Sequence, residues 1–309
     1  MSGPNNVGIN IFAGEPPDPI AGTGQVFWVG ATATVPGGVA GSDNAGNFGS
    51  SPKRPFATLD YALGFCSNSR GDVIYLLPQH QEDVANATTF QLDKIGVSVI
   101  GLGRGTDRPQ FNFTATGGSV ELDAANCRIS NVMFIADISA VVVGVNVDAA
   151  YCEIDNCEFN FNASGDDFLK FVDVDAVGNT WIHDCLFYAE NATAGSNDGI
   201  RLDTAPRTRI ERCQFYGDFA RSPIISEGAA SVSILIKDNV LYNDDTGNVD
   251  NGIALTVADT GLLINNRIAT LHAGSALLSL DPGSLLCLEN YSVNAIDQHG
   301  VVVPATAST

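Results

Sequence analysis

Basic residues are scarce in this chain: 15 Lys plus Arg stand against 35 Asp plus Glu, a formal net charge of −20. That deficit opposes binding to the polyanionic backbone of nucleic acids and to anionic membrane surfaces, so neither is an expected partner. Charge of either sign is thin, at 16% of residues against 45% hydrophobic, too apolar a balance for a disordered polymer. Long hydrophobic runs are missing too. No segment reaches the roughly 18 consecutive apolar residues that a membrane helix needs. The opening residues 1–6 (Met-Ser-Gly-Pro-Asn-Asn) carry neither a basic nor an apolar export-signal region, so none is expected. The seven cysteines are an odd number and mostly occupy repeat positions instead of paired loop positions, which fits reduced thiols in a protein assembled in a cytoplasm. No Walker loop, dinucleotide fingerprint or nucleophile elbow occurs, and no cofactor or metal centre is expected.

What the chain has is glycine, 32 in all, and an internal repeat. An aliphatic residue, two mostly polar residues, a small or polar residue, any residue and an apolar one recur together. The copies start at Ile129, Ile154, Ile182, Ile210, Ile236, Leu263 and Cys287, so successive starts are 25, 28, 28, 26, 27 and 24 residues apart. A short alternating segment precedes each copy, as in Val145 to Asp148, Val172 to Asp175 and Ile200 to Asp203. A fixed period of this length marks a solenoid. The connections hold no apolar helical period long enough for a crossover helix, which disfavours a βαβ barrel or a doubly wound sheet. The expected fold is all-β: a right-handed parallel β-helix in which like residues stack in columns about 4.8 Å apart. The domain reading is an N-terminal arm and entry strand over 1–50, the β-helix with a capping helix over 51–295, and a C-terminal strand and tail over 296–309.

The columns account for much of the unusual composition. Cys157, Cys185 and Cys213 share one coil position with Asn239, Asn266 and Asn290, which predicts a buried small-residue column passing into an asparagine ladder. Thiols stacked one per coil point the same way and do not converge on zinc. Phe159, Phe187 and Phe215 should stack in the core, and Phe161, Tyr188 and Tyr216 should face outward.

Candidate chemistry rests on carboxylates. Asp123, Asp148, Asp175, Asp203 and Glu227 recur once per coil and suit calcium by ligand type, but turn residues follow each, and corner capping through backbone N–H groups is the expectation. Asp166 with Asp167, and Asp244 with Asp245, offer acids and bases for glycoside hydrolysis if another coil supplies a partner at the right separation. His183 is a conceivable base, although a lone outward histidine is ordinarily just exposed. Arg201, Arg209, Arg212 and Lys237 are the basic residues available for lyase chemistry, and a solvated or interface face is the expected place for each.

The front of the repeat array carries a resemblance. Residues 26–30 (Val-Phe-Trp-Val-Gly) form an apolar strand, a Gly/Ala/Asn-rich stretch follows over 37–50, and Phe56, Leu59 and Leu63 after Pro55 have helical spacing. Then come a buried strand over 71–78 (Gly-Asp-Val-Ile-Tyr-Leu-Leu-Pro) and a glycine turn over 96–105 ahead of Arg108 and Pro109. This order resembles the entry segment of pectate-lyase-like β-helices, particularly those of bacteriophage virion proteins, and with the coils it spans about residues 26 to 295. Polygalacturonase-like members carry Asn-Thr-Asp, Asp-Asp, Gly-His-Gly and Arg-Ile-Lys on successive coils. Here only Asp-Asp is present, with fragments at Gln298, His299 and Gly300 and at Arg267, Ile268 and Ala269. The resemblance therefore implies a non-enzymatic virion protein: a homotrimeric capsid decoration on the head exterior, contacting the major capsid protein. A tailspike-like protein that binds or cleaves surface glycan is the alternative, and clustered carboxylates with exposed aromatics along one groove would favour it.

Overall fold

The computed structural model describes residues 24–30, 39–44, 49–190, 196–245, 252–255, 258–271, 280–281, 283–293 and 299–302. The arm assigned to residues 1 to about 25 lies almost wholly outside these, as do parts of the 37–50 stretch. Three sheets run the length of the molecule. The first has ten strands from Val26–Val29 to Leu286–Leu288, and the second has eight from Phe90–Gln91 to Leu280–Asp281. The third has ten, from Gln81–Val84 to His299–Val302. Neighbours pair in parallel one coil apart, except that His299–Val302 runs antiparallel to Asn290–Val293. The fold is an all-β parallel β-helix, right-handed as parallel crossovers are.

Each repeat copy spans two strands where the sequence suggests one. In the second copy Glu153–Asp155 belongs to the first sheet and Glu158–Phe161 to the third. A corner residue with left-handed φ divides them. Asn131, Asn156, Asp184, Arg212, Asp238, Asn265 and Glu289 hold this corner at φ between 51° and 58°. Asn and Asp tolerate that region best because their short polar side chains bond locally, which explains the polar third letter of most copies. The aliphatic first letters then pair in one column, Ile129 with Ile154, Ile182, Ile210, Ile236, Leu263 and Cys287 in turn.

Below the first copy, Val73–Leu76 and Ser98–Gly101 stack in the same sheet, so the entry segment forms coils of the same solenoid. The expected helix after Pro55 covers Leu59–Leu63, with the Thr58 hydroxyl accepting the Tyr61 N–H at 3.3 Å. Leu59, Ala62 and Leu63 are buried against the lowest strands of the first and second sheets.

The interior follows the columns. The Phe159 and Phe187 rings lie 4.8 Å apart and 12° from parallel, and Phe187 and Phe215 lie 4.5 Å and 5° apart, all fully buried. All seven cysteines are free and buried. Thiol and amide do the same job in successive coils: the Cys185 and Cys213 Sγ–H groups donate to Ile154 and Ile182 oxygens at 3.6 and 3.8 Å. The Asn239, Asn266 and Asn290 Nδ2 groups donate to the equivalent carbonyls of Ile210, Ile236 and Leu263 at 3.0, 3.0 and 2.7 Å. Each Asn Oδ1 also accepts the backbone N–H of the residue one coil below.

Candidate functional site

Among the described residues, two clusters on the outer faces combine cations with carboxylates, one on the second sheet and one on the first. Outward positions of the second-sheet strands Lys170–Asp175, Ser196–Asp203 and Phe219–Glu227 meet one coil apart. Arg201 donates through Nε and Nη2 to both Asp173 oxygens at 2.8 Å, and Nη1 reaches Glu227 at 3.3 Å. Lys170 Nζ lies 2.5 Å from Asp173, and Arg221 bridges Glu227 and Asp198. Three cations and three carboxylates make this network neutral. Asp198 is only 1% exposed, and one of its oxygens has no hydrogen-bond partner. Burial, with Glu227 nearby, pushes its pKa up to about 6 against the pull of Arg221, Arg201 and Lys170.

On the first sheet, Arg128 grips Asp155 at 2.8 and 3.0 Å, and Ser130 donates to the same carboxylate at 2.8 Å. His183 is not the exposed outward residue that the sequence suggests. It is buried, with Nε2 3.0 Å from Glu153, Nδ1 2.7 Å from Asp184, and its ring 3.9 Å from Trp181. Burial lowers its pKa, but the bonds to Glu153 and Asp184 outweigh that and raise it. Arg209 lies over the Trp181 ring at 4.6 Å and pairs with Glu211, while Arg212 bonds Asp184 and Glu211. Lys237 reaches Asp238 at 3.3 Å. Arg209, Arg212 and Lys237 keep the solvated face expected of them, at 47%, 43% and 43% exposure, while Arg201 is largely covered, and each also meets a carboxylate of the same chain. Repeat stacking brings Arg201 to Asp173 and Arg212 to Asp184 of the coil below, whereas Arg209 and Lys237 pair with near neighbours in the chain, Glu211 and Asp238.

The once-per-coil acids depart from corner capping. Only Asp203 accepts a backbone N–H by hydrogen bond, from Ala229 at 3.2 Å. Asp123 takes the Gln91 amide, Asp148 the Asn146 amide, and Glu227 two arginines. Ligand oxygens of Glu121, Asp123 and Asp148 come within 4.8 Å of one another, as do ligand atoms of Glu153, Asp155 and His183. The second trio is already engaged by Arg128 and Ser130. In the first, burial followed by repulsion from Glu121, Asp123 and Asp175 raises the Asp148 pKa.

The third sheet carries a trough. Its outward column passes from Asn160 through Tyr188, Tyr216 and Tyr242 to Ala269 and Val293. Tyr188 and Tyr216 stack at 6.0 Å and 26°. Around them a groove of about 500 Å³ includes Phe161 and Asp244, and a more apolar one of about 650 Å³ continues it past Val240 and Tyr291. Along its edge the candidate Asp244 is joined by two acids that the motif search passed over: Glu190, Asp218 and Asp244 each follow the core position Phe187, Phe215 or Leu241 by three residues. Burial, then Asp245, Asp244 and Glu190, push Asp218 up to about 6. Asp244 is raised by burial, and one of its oxygens is buried without a partner. Asp166 and Asp167 serve loop turns, accepting the N–H groups of Ala163 and Ala140. Glu190 is close enough to Asp167 to help raise its pKa, after burial.

No family model matches the chain, and no curated sequence does. Among solved structures, the chain is similar to the pectate lyase Pel9A at 15% identity and a TM-score of 0.50, over 93% of this chain and 82% of that one. A rhamnogalacturonan lyase matches at 13% identity and a TM-score of 0.48, over 86% and 73%. A Geobacillus virus E2 protein, ORF18, matches at 13% identity and a TM-score of 0.39, over 76% and 57%. At such identity the pectate lyase likeness establishes the shared parallel β-helix fold and nothing about activity. No helix among the described residues is long and apolar enough to cross a membrane.

Proposed function

We propose that this chain is a non-enzymatic structural protein of a bacteriophage virion: a capsid-decorating β-helix that stands on the head as a homotrimer and engages the major capsid protein through residues 1 to about 50. The observation that carries the non-enzymatic part is the fate of the candidate bases. Arg201, Arg209, Arg212, Lys237 and His183 are all held by carboxylates of their own chain, so none is poised to take a proton from a substrate. The entry segment's resemblance to phage virion β-helices supports the location. Self-association is assigned to the top of the first sheet, where Leu262, Leu286 and Leu288 are 38%, 64% and 53% exposed. Burying such aliphatic groups around a closed three-fold axis satisfies three copies without propagating into a fibre. The test is native mass together with binding to undecorated capsids, for the full chain and for a deletion of residues 1–25. A trimer that loses capsid binding on deletion is expected; a monomer, or undiminished binding, would overturn the respective claim.

The glycan-binding or glycan-cleaving alternative has two observations in its favour: the third-sheet trough, where Tyr188, Tyr216 and Tyr242 lie beside Asp244, and the buried Asp198 beside Lys170, Arg201 and Arg221 on the second sheet. Incubation with acidic and neutral bacterial polysaccharides, with and without calcium, decides it. Our reading predicts neither reducing ends nor unsaturated products. Turnover abolished by Asp198→Asn, or by substituting Asp244 and Asp245, would replace it.

A further inference from the structure

The third-sheet trough has no part in the decorating role, and its composition differs from that of the leucine patch. Tyrosines dominate it, and half-buried Tyr188, Tyr216 and Tyr242 follow one another in successive coils. The Tyr188 and Tyr216 rings lie 6.0 Å apart, and Tyr242 takes the next place in the same register. Asn160 and Asp244 line the same groove, and Glu190 and Asp218 share Asp244's column beside it.

We infer that this trough is a binding site for a neutral glycan, an uncharged oligosaccharide lying along the helix axis across Tyr188, Tyr216 and Tyr242. The faces of pyranose rings are sheets of C–H groups that stack on aromatic faces. Their hydroxyls, at the ring edges, need partners of both kinds. Asp244 and the Asn160 amide line the groove and supply acceptors and donors beside the stack.

Charge selects among occupants. Glu190, Asp244 and Asp245 are close enough to raise the pKa of Asp218, so a uronate or sialic-acid chain would meet like charge along this edge, with Arg267 lining the groove's continuation. A second copy of this chain would bring the same net charge of −20 and its own acidic edge to the contact. A neutral sugar brings neither. This inference goes beyond the decorating role and does not depend on it: a head protein with such a trough would add weak adhesion to a glycan-coated surface, multiplied by copy number on the particle.

The test is to screen the full-length protein against immobilised neutral oligosaccharides built on glucose, galactose, mannose and rhamnose, with oligogalacturonate as the acidic comparison. The best neutral probe is then titrated by calorimetry. Saturable binding of at least one neutral probe and none of oligogalacturonate is expected. Tyr216→Ala and Tyr242→Ala should each weaken binding about tenfold or more through the loss of stacking, and Tyr216→Phe should keep most of it. Melting temperatures and capsid attachment of these variants should match the parent. No saturable neutral probe, a preference for oligogalacturonate, or undiminished binding in both alanine variants would overturn the assignment. Failure of capsid attachment in the parent protein would count against the decorating role and leave the trough untouched.

Discussion

Replacing Asn266 by alanine should destabilise the upper coils severely, and replacing it by cysteine should cost far less. Asn266 is fully buried, and its side chain makes four hydrogen bonds. Nδ2 donates to Ile236 O at 3.0 Å and Asn290 Oδ1 at 2.8 Å. Oδ1 accepts from Asn239 N at 3.1 Å and Asn239 Nδ2 at 3.0 Å. Alanine removes all four and strands the Asn239 N–H in a dry interior. Each stranded polar group costs about 1–3 kcal/mol, so a total of roughly 3–5 kcal/mol is expected for the two or three groups affected. Cysteine occupies this position in lower coils, where Cys185 and Cys213 Sγ reach the equivalent carbonyls. It should therefore recover more than half of the loss. Guanidinium denaturation followed by far-ultraviolet circular dichroism measures both variants. An alanine variant within about 0.5 kcal/mol of the parent, or a cysteine variant as damaged as alanine, would refute the ladder argument.

Further outcomes follow from the same geometry. Phe187→Ala, which empties a ring stacked on both sides, should cost about 3–5 kcal/mol, and Phe187→Asp or Ile182→Asp should cost more. An unchanged melting transition in both aspartate variants would reject the inward register. Asp198 gives a pH signature: its folded-state pKa, about 6, lies above the ordinary 3.8. Its contribution is thus fully favourable below pH 3.8 and is lost as pH rises through about 6, a difference of roughly 3 kcal/mol for a group this buried. Between pH 7.5 and 5 the parent should gain stability relative to Asp198→Asn, measured by urea midpoints; parallel curves would contradict the assignment. Arg212→Ala should remove a cation 3.3 Å from His183 and leave Asp184 to the imidazole alone, raising the histidine pKa in an NMR titration, and a lowered or unshifted value would sink that linkage.

The fold was legible because a solenoid writes its packing into the sequence once per coil. Six aliphatic first letters and Cys287, three stacked phenylalanines and the cysteine-to-asparagine column all lie where the period puts them. The three-strand coil was harder to read, because a single left-handed residue such as Asn156 turns the chain without a glycine or proline. The outer faces were read less well. Period marks a residue as outward but not as solvated: Arg201 and His183 look free in one coil and are bound by Asp173 and Glu153 of the coil below. Nothing local announces that Asp198 is buried, since its partner Arg221 lies 23 residues on. The acidic edge of the trough was available, because Glu190, Asp218 and Asp244 keep one offset from the core column. Motif searching for Asp-Asp pairs found Asp244 but not Glu190 or Asp218, and gave equal weight to Asp166 and Asp167.

The central claim, a structural protein of the virion head, is tested most directly by an electron cryomicroscopy reconstruction of the intact particle that carries this chain. The account predicts three parallel β-helical rods around a local three-fold axis on the head lattice, with density from the N-terminal residues running into the major capsid protein. Density for the chain confined to a tail appendage, with the second-sheet cluster around Asp198 facing outward, would contradict it.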